Sequence, residues 1–485
     1  MASSWQSYET LPTETDAETL AAAKRAFLIA PAGCGKTELI ARAIQLGEGR
    51  SLVLTHTHAG VNALRSRLRR YGVPSRKFHV ATIAGLGLRY ASSFRSLSGL
   101  RIESPTGDEW PHVYEATVRL LRHRAPQEVL AQSYSGVYVD EYQDCNVLQH
   151  EITMAIAEVL PCRLLGDYMQ GIFDFRGQSP IVWERDVAPH FARLEDLSTP
   201  HRWLGSNADL GSWLTDARQQ LLSGGEIDLR RFPGSWFPQD PSSAVAACRN
   251  TAESTDGSVV VIRKWRRHCP ELASRLGGDF GAMEELDCEA LMEFADELDQ
   301  ATSGHRWVVA LLDFASKCFT VTGSRLASFR SQYDLGVIPN ASRLGSNRPI
   351  VESLNSLASK PSASTLINAA RALDRVPKAR LYRRELWNEM KTTLRTYQGI
   401  ESPTFRETAW QVRDRSRRNG RPAEERVVST TLLVKGLEFD HSVVVDTDRL
   451  SAKELYVAMT RGRQGLAVVS ESPVIRKDRV TNVLD

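Results

Sequence analysis

The chain has 485 residues, of which 42% are hydrophobic and 25% are charged, and its formal net charge is only +3. This composition is typical of a globular protein with room for about three domains. The low net charge excludes a strong electrostatic field over the whole molecule, so any affinity for nucleic acid must come from local basic patches. No apolar run reaches the length of a membrane span, and residues 1–20 lack the apolar core of a signal peptide.

The number and spacing of the cysteines indicate the redox state of the cellular compartment. The seven cysteines are scattered without a C-x-x-C pair. This spacing argues against a zinc site and for reduced thiols, and it predicts a cytoplasmic protein.

The first predicted element that carries chemistry is a glycine-rich turn between a strand and a helix. An apolar run at 27–29 predicts a buried strand, and a helical pattern continues through residue 46. Between them, A-P-A-G-C-G-K-T at 30–37 has the context of a phosphate-binding (Walker A) loop, with Ala30 in place of the first Gly of the pattern. Lys36 would reach the β- and γ-phosphates, and Thr37 would bind Mg²⁺. The predicted nucleotide-binding residues of this loop are Ala32, Gly33, Cys34, Gly35, Lys36 and Thr37.

An acid pair follows a second apolar run, at 137–139. Ligands of open α/β sheets bind at the carboxyl ends of the strands, where Asp140 and Glu141 would lie. Asp140 can hold Mg²⁺, and Glu141 can orient and deprotonate an attacking water.

Further apolar runs predict two parallel sheets with helices between the strands. The first set of strands is predicted at 27–29, 52–54, 79–81, 137–139 and 163–165, and the second set at 259–262, 427–430, 442–445 and 466–469. The predicted fold is therefore α/β. The first domain is predicted at 1–198 with a reduced helical insert at 88–136, and the second at 199–288 and 427–485 with a larger helical insert at 289–426. Residues 413–422, rich in Arg, predict a basic loop.

Five segments, together with the phosphate loop, resemble the motifs of UvrD/Rep/PcrA-type superfamily 1 helicases in the correct order. They are V-D-E-Y-Q-D at 139–144, L-G-D-Y-M-Q-G-I-F-D-F-R-G at 165–177, L-S-T-P-H-R at 197–202, K-G-L-E-F at 435–439 and L-Y-V-A-M-T-R at 455–461. The resemblance implies two RecA-like P-loop domains that use ATP and Mg²⁺. The 289–426 insert then resembles the family's mobile second-domain insert, and an unrelated helical domain in the same place stays open.

The resemblance also implies catalytic roles. Glu141 would be the general base, and Gln170 would contact the γ-phosphate or the attacking water. Arg202 and Arg461 would be arginine fingers that come from the second domain, so that hydrolysis is coupled to domain motion. The alternative for both arginines is an ordinary surface position.

Recognition of the base and ribose departs from the family. The family's adenine-reading Gln has no counterpart in residues 13–23. His201 replaces the tyrosine that stacks on the base. Gly436 and Glu438 lie in the motif that contacts the ribose. The resemblance implies ATP, with relaxed nucleotide choice as the alternative.

Strand binding needs aromatic stacking platforms beside polar groups that follow the backbone. The segment T-H-T-H-A at 55–59 stands where the family has T-F-T-N-K, so His56 replaces a stacking Phe. Phe173 replaces a stacking Tyr. Core packing is the alternative for His56, Phe173 and Phe175. The DNA-binding residues that the resemblance implies are Thr55, His56, Thr82, Phe173 and Phe175.

The function implied is a compact DNA-dependent ATPase that moves 3′ to 5′ on single-stranded or tailed DNA. A competing interpretation is a nucleotide- or DNA-end-sensing subunit that regulates a separate nuclease. Compact UvrD-like subunits of Gabija-type bacterial anti-phage systems are similar in size and domain plan only. No motif decides between the two.

Overall fold

The structure of the protein is a computed structural model that describes residues 14–103, 105, 107–173, 179–240, 242–284, 289–320, 322–343, 347–397, 403–419 and 425–481. By contacts the chain divides into two units. Unit 1 comprises Met1–Pro233, Ser451–Gln464 and Val474–Asp485, and unit 2 comprises Gly234–Leu450 and Gly465–Pro473.

Strands are numbered in chain order through the described residues. They are β1 (Arg25–Ile29), β2 (Ser51–Thr55), β3 (Phe78–Thr82), β4 (Gly136–Val139), β5 (Cys162–Gly166), β6 (Ala192–Arg193), β7 (Glu226–Asp228), β8 (Ser235–Pro238), β9 (Val259–Arg263), β10 (Gly281–Ala282), β11 (Arg426–Thr430), β12 (Phe439–Val444), β13 (Gly462–Ser470) and β14 (Val474–Arg476).

Unit 1 is built on a six-stranded sheet with the strand order β3-β2-β4-β5-β1-β6, in which every pairing is parallel. Strands β2, β4 and β5 are buried along their whole length, as expected where helices cover both faces of a parallel sheet. The carboxyl ends of the parallel strands meet at one edge, where ligands bind in open α/β sheets. The α-helices of the unit are Ala17–Ala22, Lys36–Leu46, His58–Arg70, Ile83–Ser93, Arg95–Ser98, Trp110–Leu121, Arg124–Ser133, Val147–Ala157, His201–Leu204, Ala208–Ser223 and Ala452–Met459. Strands β7 and β14 form a separate antiparallel pair.

Unit 2 contains the second six-stranded sheet, with the order β10-β11-β9-β12-β13-β8. The pairs β10–β11, β11–β9, β9–β12 and β13–β8 are parallel. Its flanking helices are Ser243–Ser254, His268–Arg275 and Thr431–Val434. Two parallel six-stranded sheets with flanking helices confirm the predicted fold class of two RecA-like domains.

The helical insert of unit 2 has its own hydrophobic core, with Phe314, Leu354 and Trp387 at 2%, 0% and 0% exposure. Its helices are Glu289–Gln300, Gly304–Cys318, Thr322–Asp334, Arg348–Ser359, Ala363–Leu373, Arg384–Thr396 and Phe405–Asn419. The amphipathic spacing of apolar residues every three or four positions explains why these segments fold as helices around one core.

The predicted basic loop at 413–422 is wrong in its described part. Residues 413–419 continue the Phe405–Asn419 helix, and residues 420–424 lie outside the described residues. Arg413 is buried and forms ion pairs with Glu389 and Glu385. A sequence rich in Arg resembles a solvated loop because its distant carboxylate partners cannot be read from it.

The predicted strands of both sets agree with the observed strands to within a few residues at each end. The strands that the sequence analysis did not predict are β6, β7, β8, β10 and β14, which have two to four residues each, too few to show a period. The contact division counts residues 199–233 and 451–464 with the first sheet. The boundary at residue 198 and the limits of both inserts remain predictions. Within the described ranges, no helix is both long and apolar enough to cross a membrane.

Candidate nucleotide site and nucleic-acid contacts

The phosphate loop has the backbone that its sequence predicts. Gly33 and Gly35 have φ values of 77° and 83°, in the left-handed region that favours glycine. A side chain at Gly33 would also overlap the ring of Trp203. Ala30 is not among the residues with positive φ, and its N–H donates to the Gly166 carbonyl at 2.8 Å. The departure from the first Gly of the motif therefore costs no backbone strain.

Lys36 lies against both acids at the end of β4. Its Nζ is 3.0 Å from Asp140 Oδ1 and 2.6 Å from Glu141 Oε1. Burial works against the ammonium group, but the charges of the two carboxylates outweigh it and raise the pKa of Lys36. The loop therefore presents a charged lysine to the two acids that the sequence predicts for metal binding and base catalysis.

Glu141 has a conformation that few residues other than glycine adopt. Its φ is 55° and its ψ is 42°, and the short 3₁₀ turn Tyr142–Asp144 follows directly. Such a conformation persists only where the surroundings fix it, and it clusters at functional sites. Here Glu141 Oε1 accepts from Lys36, and Oε2 accepts from Gln143 Nε2 at 2.5 Å. Both oxygens of the candidate base are thus held by donors.

A chain of hydrogen bonds leads from the candidate base to a second motif. The Gln143 Oε1 atom accepts from the backbone N–H of Asp167 at 2.9 Å. The Asp167 carboxylate accepts from Gln170 Nε2 at 3.1 Å, and Gln170 Oε1 accepts from Arg461 Nη2 at 3.4 Å. The structure therefore connects the predicted residues Glu141, Gln170 and Arg461 through two residues of the same motifs that had no predicted role.

Both predicted arginine fingers are counted with unit 1 by their contacts, whereas the sequence analysis expected them from the second domain. Arg461 is 2% exposed, and Arg202 Nη1 donates to the Thr460 carbonyl at 2.7 Å. The Ala452–Met459 helix contacts the Tyr168–Gln170 turn, and Tyr456 Oη accepts from the N–H of Ala32 at 3.1 Å. These contacts hold the segment before Arg461 at the phosphate loop.

The donor set suits a magnesium ion that is shared with phosphates. Hydroxyl and carboxylate oxygens, here those of Thr37 and Asp140, are the ligands that Mg²⁺ prefers. Within the described ranges there is no cluster of three or more acids, histidines or cysteines that could hold a metal by itself. Mg²⁺ in such sites takes one or two protein ligands and completes its shell with phosphates and water. Arg67 Nη1 also donates to Thr37 Oγ1 at 3.2 Å.

The residues predicted to recognise the base and ribose are divided between the units. His201 is exposed at the start of its helix, and its Cδ2 lies 3.3 Å from the position that a Cβ on Gly35 would occupy. Gly436, with φ 79°, and Glu438 lie in unit 2. Cys34 is buried in the loop, and burial raises the pKa of its thiol to about 12, so the thiol stays protonated and unreactive near neutral pH.

We expect little discrimination between ATP and GTP, because a stacked imidazole tolerates either base whereas discrimination needs hydrogen bonds to the base edge. The ratio of kcat/KM values should stay within about tenfold. His201→Tyr should lower KM for both nucleotides alike and leave the ratio unchanged. The measurement is turnover of both nucleotides at matched concentrations. A strong ATP preference in the parent would show that other residues read the base.

The described residues predicted to contact DNA lie at the carboxyl ends of β2 and β3 or in the segments that follow β2 and β5. Thr55 and Thr82 are neighbours in the register of β2 and β3, and both are buried. Thr82 Oγ1 accepts from the Gly85 N–H at 2.9 Å and so caps the Ile83–Ser93 helix. His56 is half-buried, with Nε2 3.4 Å from Cys145 Sγ, and Phe173 is half-buried. Phe175 lies outside the described residues.

Sequence analysis missed several residues of this site. Gln143, Asp167 and Tyr456 stand inside the quoted motifs, so their positions were available as a signal. Trp203 directly follows Arg202, and its indole N–H donates to the Gly462 carbonyl at 2.9 Å. Arg218 forms an ion pair with Asp167 at 3.0 Å, and nothing in the sequence distinguishes it from other helical arginines.

The fold is that of a P-loop protein with two RecA-like domains. A family model of the UvrD/REP helicase N-terminal domain matches residues 108–184, which include the acid pair and the Gln170 motif. The predicted resemblance to UvrD-like superfamily 1 helicases is thereby confirmed. Among curated proteins, none matches the chain.

Two solved viral helicase structures are similar to the chain. The arterivirus nonstructural protein 10 helicase, in its complex with DNA, is 11% identical with a TM-score of 0.35, over 93% of this chain and 62% of that one. The PRRSV helicase is 11% identical with a TM-score of 0.34, over 94% of this chain and 54% of that one. The chain thus spans less than two thirds of the length of these helicases. Similarity this low supports no conclusion about activity.

Proposed function

We propose that this protein is an ATP- and Mg²⁺-dependent translocase or helicase that moves 3′ to 5′ on single-stranded DNA and acts on tailed duplexes. One observation carries the proposal, the continuous path of polar contacts within unit 1. It runs through Lys36, Glu141, Gln143, Asp167, Gln170 and Arg461. The UvrD/REP match over residues 108–184 supports the same assignment.

Three groups on this path, Lys36, Glu141 and Arg461, have roles in phosphoryl transfer, which depends on positioning and on charge neutralisation. When bound, Mg²⁺ supplies charge neutralisation at the β- and γ-phosphates, and Thr37 and Asp140 are the residues that would hold it. Lys36 exchanges its carboxylate partners for phosphate oxygens. Glu141 then accepts the proton of the attacking water, and Arg461 stabilises the charge on the transferred group.

The path also suggests how the binding of nucleic acid is coupled to the hydrolysis of ATP. Phe173 lies three residues after Gln170, on the segment that follows the Tyr168–Gln170 turn. A base stacked on Phe173 would therefore restrain the turn that carries Gln170. For Thr55 and Thr82 we propose phosphate contacts, which is supported by their positions at the ends of adjacent strands on the same edge of the sheet.

We expect Phe173→Ala to reduce DNA-stimulated turnover more than basal turnover, because it removes stacking but not the hydrolytic groups. Stacking on one aromatic residue is worth about 1–3 kcal/mol per base. His56→Ala should have a smaller effect, since His56 is engaged with Cys145. Tyr71→Ala, at a residue that is 37% exposed elsewhere in unit 1, is the matched aromatic control. Equal loss of both rates in Phe173→Ala would instead indicate a core residue.

The test of the proposed function is ATP turnover with and without single-stranded DNA, followed by unwinding of 3′-tailed and 5′-tailed duplexes. Stimulation with a modest salt dependence is expected, because the slope scales with the number of phosphates neutralised. Unwinding from 5′ tails alone would contradict the polarity. An ATPase whose turnover does not change with single-stranded DNA would favour the sensing-subunit interpretation with a separate nuclease.

None of the six described cysteines forms a disulfide, which supports a reducing compartment such as the cytoplasm.

A further inference from the structure

Asp167 is the branch point of the polar network at the carboxyl end of β5, and it is 0% exposed. Its Oδ1 accepts from the Met169 N–H at 3.1 Å and from Arg218 Nη2 at 3.0 Å. Its Oδ2 accepts from Gln170 Nε2 at 3.1 Å, and its own N–H donates to Gln143 Oε1 at 2.9 Å. A carboxylate buried this deeply needs a paired charge and hydrogen bonds to offset the water contacts that it has lost.

Arg218, from the Ala208–Ser223 helix, supplies the paired charge. Its side chain is buried, and its guanidinium carbon lies 5.1 Å from the ring centre of Tyr168 and 5.9 Å from that of Tyr456. Burial opposes the charged guanidinium, but the Asp167 charge outweighs it and raises the pKa of Arg218. The two groups therefore form an ion pair whose charges are enclosed by protein.

The chemistry of Asp167 decides how two glutamine side chains are turned. An ionised carboxylate can only accept, and a backbone N–H can only donate. Gln170 must therefore point its amino group at Asp167 and its Oε1 at Arg461. Gln143 must point its Oε1 at the Asp167 N–H and its amino group at Glu141 Oε2.

We propose that the Arg218–Asp167 ion pair is a positioning pair that fixes the amide orientation of Gln170 through the Asp167 carboxylate. Gln170 then offers an acceptor on the side of Arg461. Arg218 matters because it supplies the one charge paired with this buried carboxylate among the described contacts and donates to its Oδ1, which leaves Oδ2 directed at Gln170. This inference deepens the proposed function, because its catalytic consequence rests on Glu141 and Arg461 being the base and the finger.

The catalytic consequence is tested with Arg218→Met and Arg218→Lys. In folded protein, Arg218→Met should lower kcat by about tenfold or more with KM within about threefold, the pattern of an interaction made only in the transition state. Arg218→Lys keeps the charge and should retain most of the parent kcat. A folded Arg218→Met variant with the parent kcat would overturn the catalytic part, since a merely structural residue would change only stability.

The orientation itself is tested by exchanging carboxylate and amide. Asp167→Asn and Gln170→Glu should each lower the unfolding midpoint, because one turns a donor towards the Gln170 donor and the other sets two carboxylates face to face. The double variant restores one donor and one acceptor at the same net charge. It should recover most of both losses, as a coupled pair does in a double-mutant cycle. Asp216→Asn, at an exposed position of the Arg218 helix, is the matched control.

If the two losses of unfolding midpoint simply add in the double variant, the orientation rule, namely that the Asp167 carboxylate sets the direction of the Gln170 amide, is overturned. The unfolding measurements need no nucleotide. A parent without NTPase activity would therefore remove the proposed function, while the unfolding cycle would still decide the orientation rule. Additive losses in an active parent would remove the orientation rule alone.

Discussion

Replacing Glu141 by Gln is expected to leave nucleotide binding close to that of the parent and to lower turnover by about 10²- to 10⁴-fold, the usual contribution of a positioned general base. The phosphate loop, Lys36 and the predicted Mg²⁺ ligands Thr37 and Asp140 are unchanged in this variant. The amide cannot accept a proton from water. Its NH₂ group would also take the place of one carboxylate oxygen and face a donor, because Lys36 Nζ and Gln143 Nε2 each bond to a different oxygen of Glu141.

The measurement pairs steady-state turnover in the presence of single-stranded DNA with the affinity for a fluorescent nucleotide. Glu151→Gln is the matched control, since Glu151 is an exposed acid on the Val147–Ala157 helix. The control should retain both properties. Turnover of Glu141→Gln within about threefold of the parent would remove Glu141 from the role of base, given the size of that contribution.

Replacing Arg461 by Ala is expected to lower turnover by about 10³- to 10⁵-fold, the range that an arginine finger contributes in phosphoryl transfer. The guanidinium is held in place by the Val457 carbonyl at 2.9 Å and by Gln170 Oε1 at 3.4 Å. Because the position is pre-organised, little of its effect should appear in KM. Arg461→Lys should stay deeply impaired, since an ammonium group lacks the planar fork.

Arg461 is buried, so folding has to be measured separately from turnover. Thermal unfolding of Arg461→Ala would show whether the loss of its hydrogen bonds destabilises unit 1. Arg463→Ala, at an exposed arginine two residues later, is the matched control and should keep parent turnover. A folded Arg461→Ala protein that hydrolyses ATP at the parent rate would contradict the assignment of Arg461 as a finger.

Much of the fold could be predicted from the sequence, because the signals for strands and for the phosphate loop lie in short stretches of the chain. Fully buried parallel strands such as Leu52–Leu54 and Val137–Val139 are continuous apolar runs, and these runs fall within β2 and β4. The phosphate loop needs glycine at Gly33 and Gly35, where φ is positive, so the motif and the backbone requirement coincide. Short strands such as β6 and β10 carry too few residues to be recognised in this way.

The site was only partly available from the sequence for a physical reason. Lys36, Asp140 and Glu141 stand in short motifs next to strand ends, and parallel strands bring their carboxyl ends together. The sequence thus supplied the residues that we propose carry the chemistry. It did not determine that Arg413, in an Arg-rich run, would be buried against Glu389. The partners of a charged residue on a helix are set by packing and leave no mark on its neighbours in the chain.

Only the tertiary structure decided how the motifs are connected. Asp167 and Arg218 are 51 positions apart, and their pairing exists only once β5 and the Ala208–Ser223 helix are packed. The proposed orientation of the Gln170 amide depends on that pairing, because the Asp167 carboxylate accepts from Gln170 Nε2 through a contact in space. Arg461 likewise reaches Gln170 across 291 positions of sequence. The sequence supplied the groups, and the folded structure determined their partners, because partners are chosen by distance in space.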